Sequence, residues 1–214
     1  MILKPESREE WLELRRQGIG GSDAGTVLGL NRYKTNVQLW EEKTGLNVPE
    51  DISDKPAVKF GKFAESHLRE LFRLDYPGYQ LDYHEFFMYV SDRYPFIFAT
   101  LDGELTDENG RRGILEIKTC TIQNPNQWDE WEGRVPDTYY AQLLHQLAAT
   151  GWDFAVLKAY IRYYRDGVLR VAIRHYFVEK SEVKAEIDYL IQRESRFWRD
   201  VTNKTRPALI LPEI

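Results

Sequence analysis

Cysteine is almost absent from this 214-residue chain, in which Cys120 stands alone. One thiol cannot close an intramolecular disulfide, nor can it supply a cysteine-based zinc or iron–sulfur site; Cys120 reads as a small strand-end residue. Long apolar runs are also lacking. None approaches the roughly 18 residues that suggest a membrane span. The opening MILKPESREEW has no apolar segment of the signal-peptide kind. The chain is therefore expected in the cytosol, with no membrane partner. An excess of basic residues is missing too: 29 Lys and Arg face 34 Asp and Glu, a formal net charge of −5. That balance does not advertise a nucleic-acid binder, because counterion release needs a Lys/Arg footprint. It does not forbid one, since a carboxylate-rich metal site itself adds negative charge and local basic stripes coexist with an acidic surface. With no repeat, no low-complexity tract and no clear linker, residues 1–214 are expected to form a single domain large enough to bury a sizeable core.

What the chain does have is an unusual central stretch, Phe98 to Lys118 (FATLDGELTDENGRRGILEIK). It reads as two short apolar runs joined by a polar turn. On a strand, successive side chains alternate between faces, so Glu116 and Lys118 point one way and Ile117 the other. A hairpin brings Asp102 beside Glu116. Two carboxylates and an ammonium among Ile, Leu and Phe are costly unless compensated. A divalent cation such as Mg²⁺ compensates them, drawing on one or two carboxylates plus water and phosphate oxygens. Metal-assisted phosphodiester hydrolysis is the chemistry this pattern suggests. The plain alternative is a solvated Glu-x-Lys pair beside an Asp-Gly turn.

The flanking segments add parts. Ser7-x-x-Glu10 is a capping-box signature opening a helix to Gln17 that carries Arg15 and Arg16. Gly18-Ile19-Gly20-Gly21 breaks it, and Ser22 and Asp23 are expected to cap a second helix through Leu28. Free amides, the Ser22 hydroxyl and Arg15 are the components of a phosphate pocket, or of an ordinary helical corner. Further helices are expected over 36–44, 57–76 and 136–150, and a short one within 122–131 carrying Trp128 and Trp131. In the 57–76 helix, Glu65 borders the apolar stripe and either pairs with Arg69 at i+4 or joins the acidic cluster. The 136–150 helix places Tyr139, Gln142 and Gln146 on nearly one face, with His145 adjacent. Strands are expected over 86–90 and 94–101. Runs over 154–164 and 168–178, split by Arg165-Asp166-Gly167, read as a hairpin before a closing helix over 179–203. Lys158, Arg162, Arg170 and Arg174 lie on that hairpin at even spacing, as a basic stripe on one face or as scattered solubilising charge. The order gives an α/β fold, a mixed central sheet flanked by helices.

Five short motifs in fixed order carry a resemblance. They are Trp11-x-x-x-Arg15 with Gly18-Ile19-Gly20-Gly21-Ser22-Asp23, Gly61-x-x-x-Glu65, Leu101-Asp102-Gly103, Glu116-Ile117-Lys118 and Tyr139-x-x-Gln142. Together they resemble the YqaJ-type viral recombinases, the lambda-exonuclease-like branch of the PD-(D/E)XK nucleases. The likeness runs from about residue 11 to 160, with the C-terminal hairpin and helix (154–203) beyond. It implies a restriction-endonuclease-like fold and a Mg²⁺-dependent alkaline exonuclease, with two ions and Mn²⁺ as a possible substitute. Such an enzyme degrades linear duplex DNA 5′ to 3′, leaving 3′ overhangs for a phage-type annealing protein, inside a bacterial host and encoded by a phage or prophage. A ring-shaped homotrimer is implied as well. By residue, the resemblance makes Asp102, Glu116 and the Ile117 carbonyl metal ligands, and Lys118 the group that positions or polarises water. Glu65 completes the acidic cluster, Tyr139 and Gln142 orient it, and Arg15 and Ser22 hold the 5′-terminal phosphate. One departure stands out. The family often has Gln-x-Gln where this chain has Gln142-Leu143-Leu144, which leaves the parts of His145 and Gln146 open. An endonuclease of the same superfamily and a silent DNA-end-binding subunit are the rival functions.

Overall fold

The computed structural model describes residues 1–124 and 126–211. In chain order the elements are β1 (Ile2–Leu3), α1 (Arg8–Arg16), α2 (Gly21–Val27), α3 (Asn36–Lys43), α4 (Pro56–Asp75) and β2 (Gln80–Asp82). Then come β3 (Met88–Val90), β4 (Phe98–Ala99), β5 (Gly103–Thr106), β6 (Arg112–Ile122), α5 (Asn126–Asp129) and α6 (Asp137–Thr150). The chain closes with β7 (Phe154–Arg165), β8 (Val168–Glu179) and α7 (Lys184–Thr202). A five-stranded sheet runs β2-β5-β6-β7-β8, and a small three-stranded sheet runs β1-β3-β4. Only β6 and β7 are parallel within the large sheet, and α6 forms their crossover. The expected mixed sheet flanked by helices is thus present.

Alternation along β6 and β7 sorts the core into two layers. Ile114, Ala155, Leu157, Ala159 and Ile161 pack with α6 and α7, while Leu115, Ile117, Phe154 and Val156 pack with Leu68 and Phe72 of α4. The local signals for the helices hold. Ser7 caps α1 by accepting from the Glu10 amide at 3.1 Å, and Pro56 occupies the first turn of α4. Gly151, at φ 74°, ends α6 in the left-handed conformation that glycine adopts without strain.

Several expectations need correction. Gly20, not Ser22 or Asp23, is the N-cap of α2, and the Asp23 carboxylate reaches back to accept the Gly20 amide at 3.1 Å. The strands expected over 86–90 and 94–101 shrink to Met88–Val90 and Phe98–Ala99. Phe86 takes a positive φ of 64°, which turns the chain before β3. The hairpin expected from Phe98 begins only at Gly103, because Phe98 and Ala99 pair with β3 instead. The helix within 122–131 is the single turn α5, since β6 runs on to Ile122 opposite Tyr163, and Trp131 lies beyond it.

The basic stripe is not on one face. Asp166 (φ 54°) and Gly167 (φ 73°) make a two-residue turn that pairs Arg165 with Val168. Even-numbered residues of β7 therefore share a face with odd-numbered residues of β8, as Lys158 opposite His175 and Arg162 opposite Val171 show. Arg170 and Arg174 sit opposite Tyr163 and Ala159, on the other side of the sheet. Arg162 stacks 3.8 Å from the Phe60 ring, and Arg174 faces Trp128 at 5.9 Å.

Candidate active site

The β5–β6 register pairs Gly103 with Leu115, so Asp102, one residue before β5, stands across from Glu116. The Asp102 carboxylate accepts the Ile117 amide at 2.8 Å. In a strand, the N–H and C=O of one residue point to the same edge, so the Ile117 carbonyl is turned to the Asp102 side as well. Glu116 is 3% exposed. Its Oε1 accepts from Lys118 Nζ at 2.6 Å and Gln142 Nε2 at 2.6 Å, and its Oε2 accepts from Gln146 Nε2 at 2.6 Å. Alternation on β6 and the i, i+4 spacing on α6 bring these groups together.

Charge is unbalanced here. Burial, with the neighbouring Glu116 and Glu65 charges, raises Asp102 well above the usual carboxylate range, against the opposing pull of Lys118 and the Ile117 amide. Burial works against the Lys118 charge too, but Glu116 and Asp102 outweigh it and hold its pKa above normal. Lys118 also lies 5.2 Å from the centre of the Tyr139 ring. Tyr139, half-buried and packed against Trp131, thus sits beside the lysine.

Glu65 pairs with its i+4 partner and its charge also bears on Asp102. It accepts from Arg69 at 2.6 Å, and the same guanidinium nitrogen donates to the Asp102 carbonyl at 2.9 Å. Arg69 thus links Glu65 to the Asp102 backbone, and among the described residues no three His, Cys, Asp or Glu side chains converge as a metal cluster. The donor set is smaller: Asp102, Glu116 and the Ile117 carbonyl. That set suits Mg²⁺, which keeps several waters and binds through one or two carboxylates. Two like charges with a single nearby ammonium leave the negative excess that a divalent cation offsets.

The second half of the site arrives from α1 and α2. Arg15 donates to Ser22 Oγ at 3.1 Å and stacks 4.6 Å over the Trp11 ring. The loop between the two helices is pinned to the small sheet. The Ile19 amide donates to Phe96 O at 2.7 Å, and the Phe98 amide donates to Ile19 O at 3.1 Å. A side chain at Gly18 would meet Phe96 O at 2.5 Å, so only glycine allows this approach. Arg15, Gly20, Gly21 and Ser22 share one cleft of about 130 Å³ with Phe98, Thr100, Asp102, Glu116 and Gln142. Beneath the loop, Lys43 donates to Arg15 O at 2.9 Å and pairs with Asp23 at 2.9 Å.

Sequence reasoning left Gln146 open and missed Lys43. The helical period accounts for the first. Positions 142 and 146 share a face, whereas 144 points away, and Leu144 lies in the core. A lysine in the last turn of α3 looks like ordinary helix-end charge, so nothing local marked Lys43. His145 is fully buried, between Glu194 Oε1 at 2.7 Å and Phe98 O at 2.8 Å. It does not face the carboxylates.

A mixed sheet flanked by helices, bearing a carboxylate pair and a lysine beside a glycine-rich corner, has the fold of solved exonucleases. An alkaline exonuclease from Laribacter hongkongensis is similar in structure, with a TM-score of 0.65 and 20% identity over 92% of this chain and 94% of that one. A phage-related exonuclease from Haemophilus somnus 129PT is similar at a TM-score of 0.55 and 11% identity, over 90% of this chain and 98% of that one. At these identities the likeness is one of fold. The chain itself belongs to the YqaJ-like viral recombinase domain family, whose model matches residues 10–153. Protein YqaJ of Bacillus subtilis (strain 168) is 34% identical over 204 residues, covering 95% of this chain. The chain spans 59% of the length of that relative. Among the described residues, no helix is long and apolar enough to cross a membrane.

Proposed function

We propose that this chain is a metal-dependent deoxyribonuclease that resects linear double-stranded DNA from its 5′ ends. Its product is a 3′ single-stranded overhang, passed to a phage-type single-strand-annealing protein in a bacterial cytoplasm. The observation that carries this reading is the single cleft shared by the Arg15–Ser22 corner and the Asp102–Glu116 pair. An enzyme that grips a terminal phosphate a short distance from its reacting carboxylates removes nucleotides from that end; a phosphate pocket placed elsewhere would not do so.

Asp102, Glu116 and the Ile117 carbonyl would hold Mg²⁺, or Mn²⁺ in its place. When bound, two such ions supply activated water and neutralise the charge of the leaving oxygen in an in-line displacement. The protein's own groups do the rest. The amides of Gln142 and Gln146, with Lys118, fix the Glu116 carboxylate in one orientation. Lys118 presents its ammonium where negative charge builds on the pentacoordinate phosphorus, and Tyr139 packs beside it. Arg15, as a planar guanidinium, suits a phosphate, and its stacking on Trp11 limits the freedom it loses on binding. Glu65 adds its charge to the acidic neighbourhood of Asp102 and holds Arg69 against the Asp102 backbone. The reading extends to a homotrimeric ring threaded by duplex, for which light scattering should return about three times the 25.3 kDa chain mass.

The test is digestion of linear duplex DNA labelled at a 5′-phosphorylated end, with and without Mg²⁺, beside a closed circle. Mg²⁺-dependent loss of the label with the circle intact supports the exonuclease. Nicking of the circle turns the reading to an endonuclease. No cleavage of either, with retained binding to ends, leaves a DNA-end-binding subunit.

A further inference from the structure

Helix α6 supplies both amides that hold Glu116, yet one of its most elaborate contacts faces the other way. His145 and Glu194 are each fully buried. Burying such a pair is costly unless geometry and further hydrogen bonds compensate it. Both ring nitrogens of His145 face acceptors: Glu194 Oε1 of α7 at 2.7 Å and the Phe98 carbonyl of β4 at 2.8 Å. Only a doubly protonated ring donates to both. Glu194 Oε2 has no hydrogen-bond partner among the described residues, so the pair is held despite an incomplete set of hydrogen bonds there. The charged groups that face the ring are Glu194 from α7 and, further off, Asp23 from α2. Burial opposes its charge, while Glu194, the Phe98 carbonyl and Asp23 raise its pKa above the usual imidazole value.

The tie reaches both halves of the cleft. Phe98 lines the cleft, and its amide donates to the Ile19 carbonyl in the loop that sets Arg15 and Ser22. On α6, His145 is the immediate neighbour of Gln146 and lies three residues from Gln142. Both glutamines grip Glu116. One imidazole therefore joins α6, α7 and β4 at the point where carboxylate clamp and glycine-rich corner meet.

We propose that His145, held as an imidazolium by Glu194, is a positioning residue. It sets the height and rotation of α6 so that Gln142 and Gln146 hold Glu116, and its deprotonation releases that setting at high pH. This rests on the nuclease reading above. The neutral ring keeps one N–H for two acceptors, so either the Glu194 or the Phe98 contact becomes a lone-pair repulsion. The amides on Glu116 then lose their fixed origin.

The test compares wild type with Glu194→Gln, which keeps the shape and one hydrogen bond but removes the counter-charge. Removing a partner that stabilises the charged ring lowers its pKa. The high-pH limb of kcat should therefore move to lower pH by about one unit or more. The low-pH limb and the KM for DNA should stay in place. Imidazole NMR of His145 in the full chain, without DNA or metal, should show both ring protons at pH 7.5 in wild type and the same downward shift in Glu194→Gln. A singly protonated wild-type ring at that pH overturns the proposal whether or not the chain cleaves DNA. A wild type that never cleaves defeats the nuclease reading and this proposal with it. Unmoved high-pH limbs in an active Glu194→Gln enzyme defeat this proposal alone. If that variant does not fold, the wild-type ring and pH profile decide: the NMR pKa of His145 must coincide with the high-pH limb of kcat, and a separation of more than a unit overturns the assignment.

Discussion

Charge is buried on both faces of the large sheet, and the two burials differ in kind. On the α4 face Lys158 is fully buried, but Asp75 lies 2.7 Å away and the aromatic rings of Phe72 and Tyr76 close the surroundings. His175 sits against the same pair, and burial beside Lys158 lowers its pKa, keeping it uncharged. One cation meets one anion, and nothing is left over. On the α6 face Asp102 and Glu116 share one lysine, and Asp102 is pushed towards protonation by burial and by its neighbours. A balanced pair is architecture. An unbalanced one marks a candidate site, because a fold gains nothing by crowding carboxylates together and a cation would offset the excess.

Removing the lysine from the α6-face site should have the largest effect. Lys118→Ala should fold and bind DNA ends normally while kcat falls by about 100-fold or more, the scale seen when a preorganised charge is removed. Steady-state kinetics measure it, and a near-normal kcat would take Lys118 out of the mechanism. On the opposite face Lys158→Ala should leave kcat untouched but cost about 3 kcal/mol in chemical denaturation, since it opens a cavity where Lys158 is fully buried. Lys158→Met, which fills the same space without a charge, should recover most of that loss. A large activity defect in Lys158→Met would mean that the two faces are not separate in role.

Asp23 sharpens the comparison from the phosphate corner. Burial tends to raise its pKa, but Lys43, Arg15 and the Gly20 amide overcome that and bring it from 3.8 down to about 2. A depressed carboxylate stabilises the fold fully above its unfolded pKa and loses that contribution as pH falls through the folded value. About 2 kcal/mol of stability should therefore vanish between pH 4 and pH 2. Urea denaturation across that window should show a flatter profile for Asp23→Asn. The smallest effect expected is that of Arg15→Ala, a loss of about tenfold in the rate on 5′-phosphorylated ends beyond any loss on 5′-hydroxyl ends, from one charge-assisted contact. Equal losses on both ends would sink the pocket.

How much of this could be read from the residues in order depends on the range of each interaction. Alternation is local, so Glu116 and Lys118 on one face of β6, and Ile117 on the other, were legible from the chain. So was the common face of Tyr139, Gln142 and Gln146, a matter of helical period, and so was the capping role of Ser7. The paired positions of Asp102 and Glu116 followed from a hairpin whose turn is written in DENG. The arrangement on β7 and β8 stayed open although the signal that decides it was present: a two-residue turn at Asp166-Gly167 sets the register that separates the two pairs of cations.

Other features had no local signature. Residues 98 and 99 left the central hairpin for the small sheet because β3 and the Ile19 loop offered pairing partners from distant segments. Lys43 under the glycine-rich corner, Arg69 bridging Glu65 to the Asp102 backbone, and the meeting of His145 with Glu194 across 49 residues all depend on how helices dock. The sequence by itself determined which side chains share a face of a strand or helix, because dihedral periodicity is a property of neighbours. Only the tertiary structure decided which carboxylate is left uncompensated, because that balance is struck between charges brought close by packing.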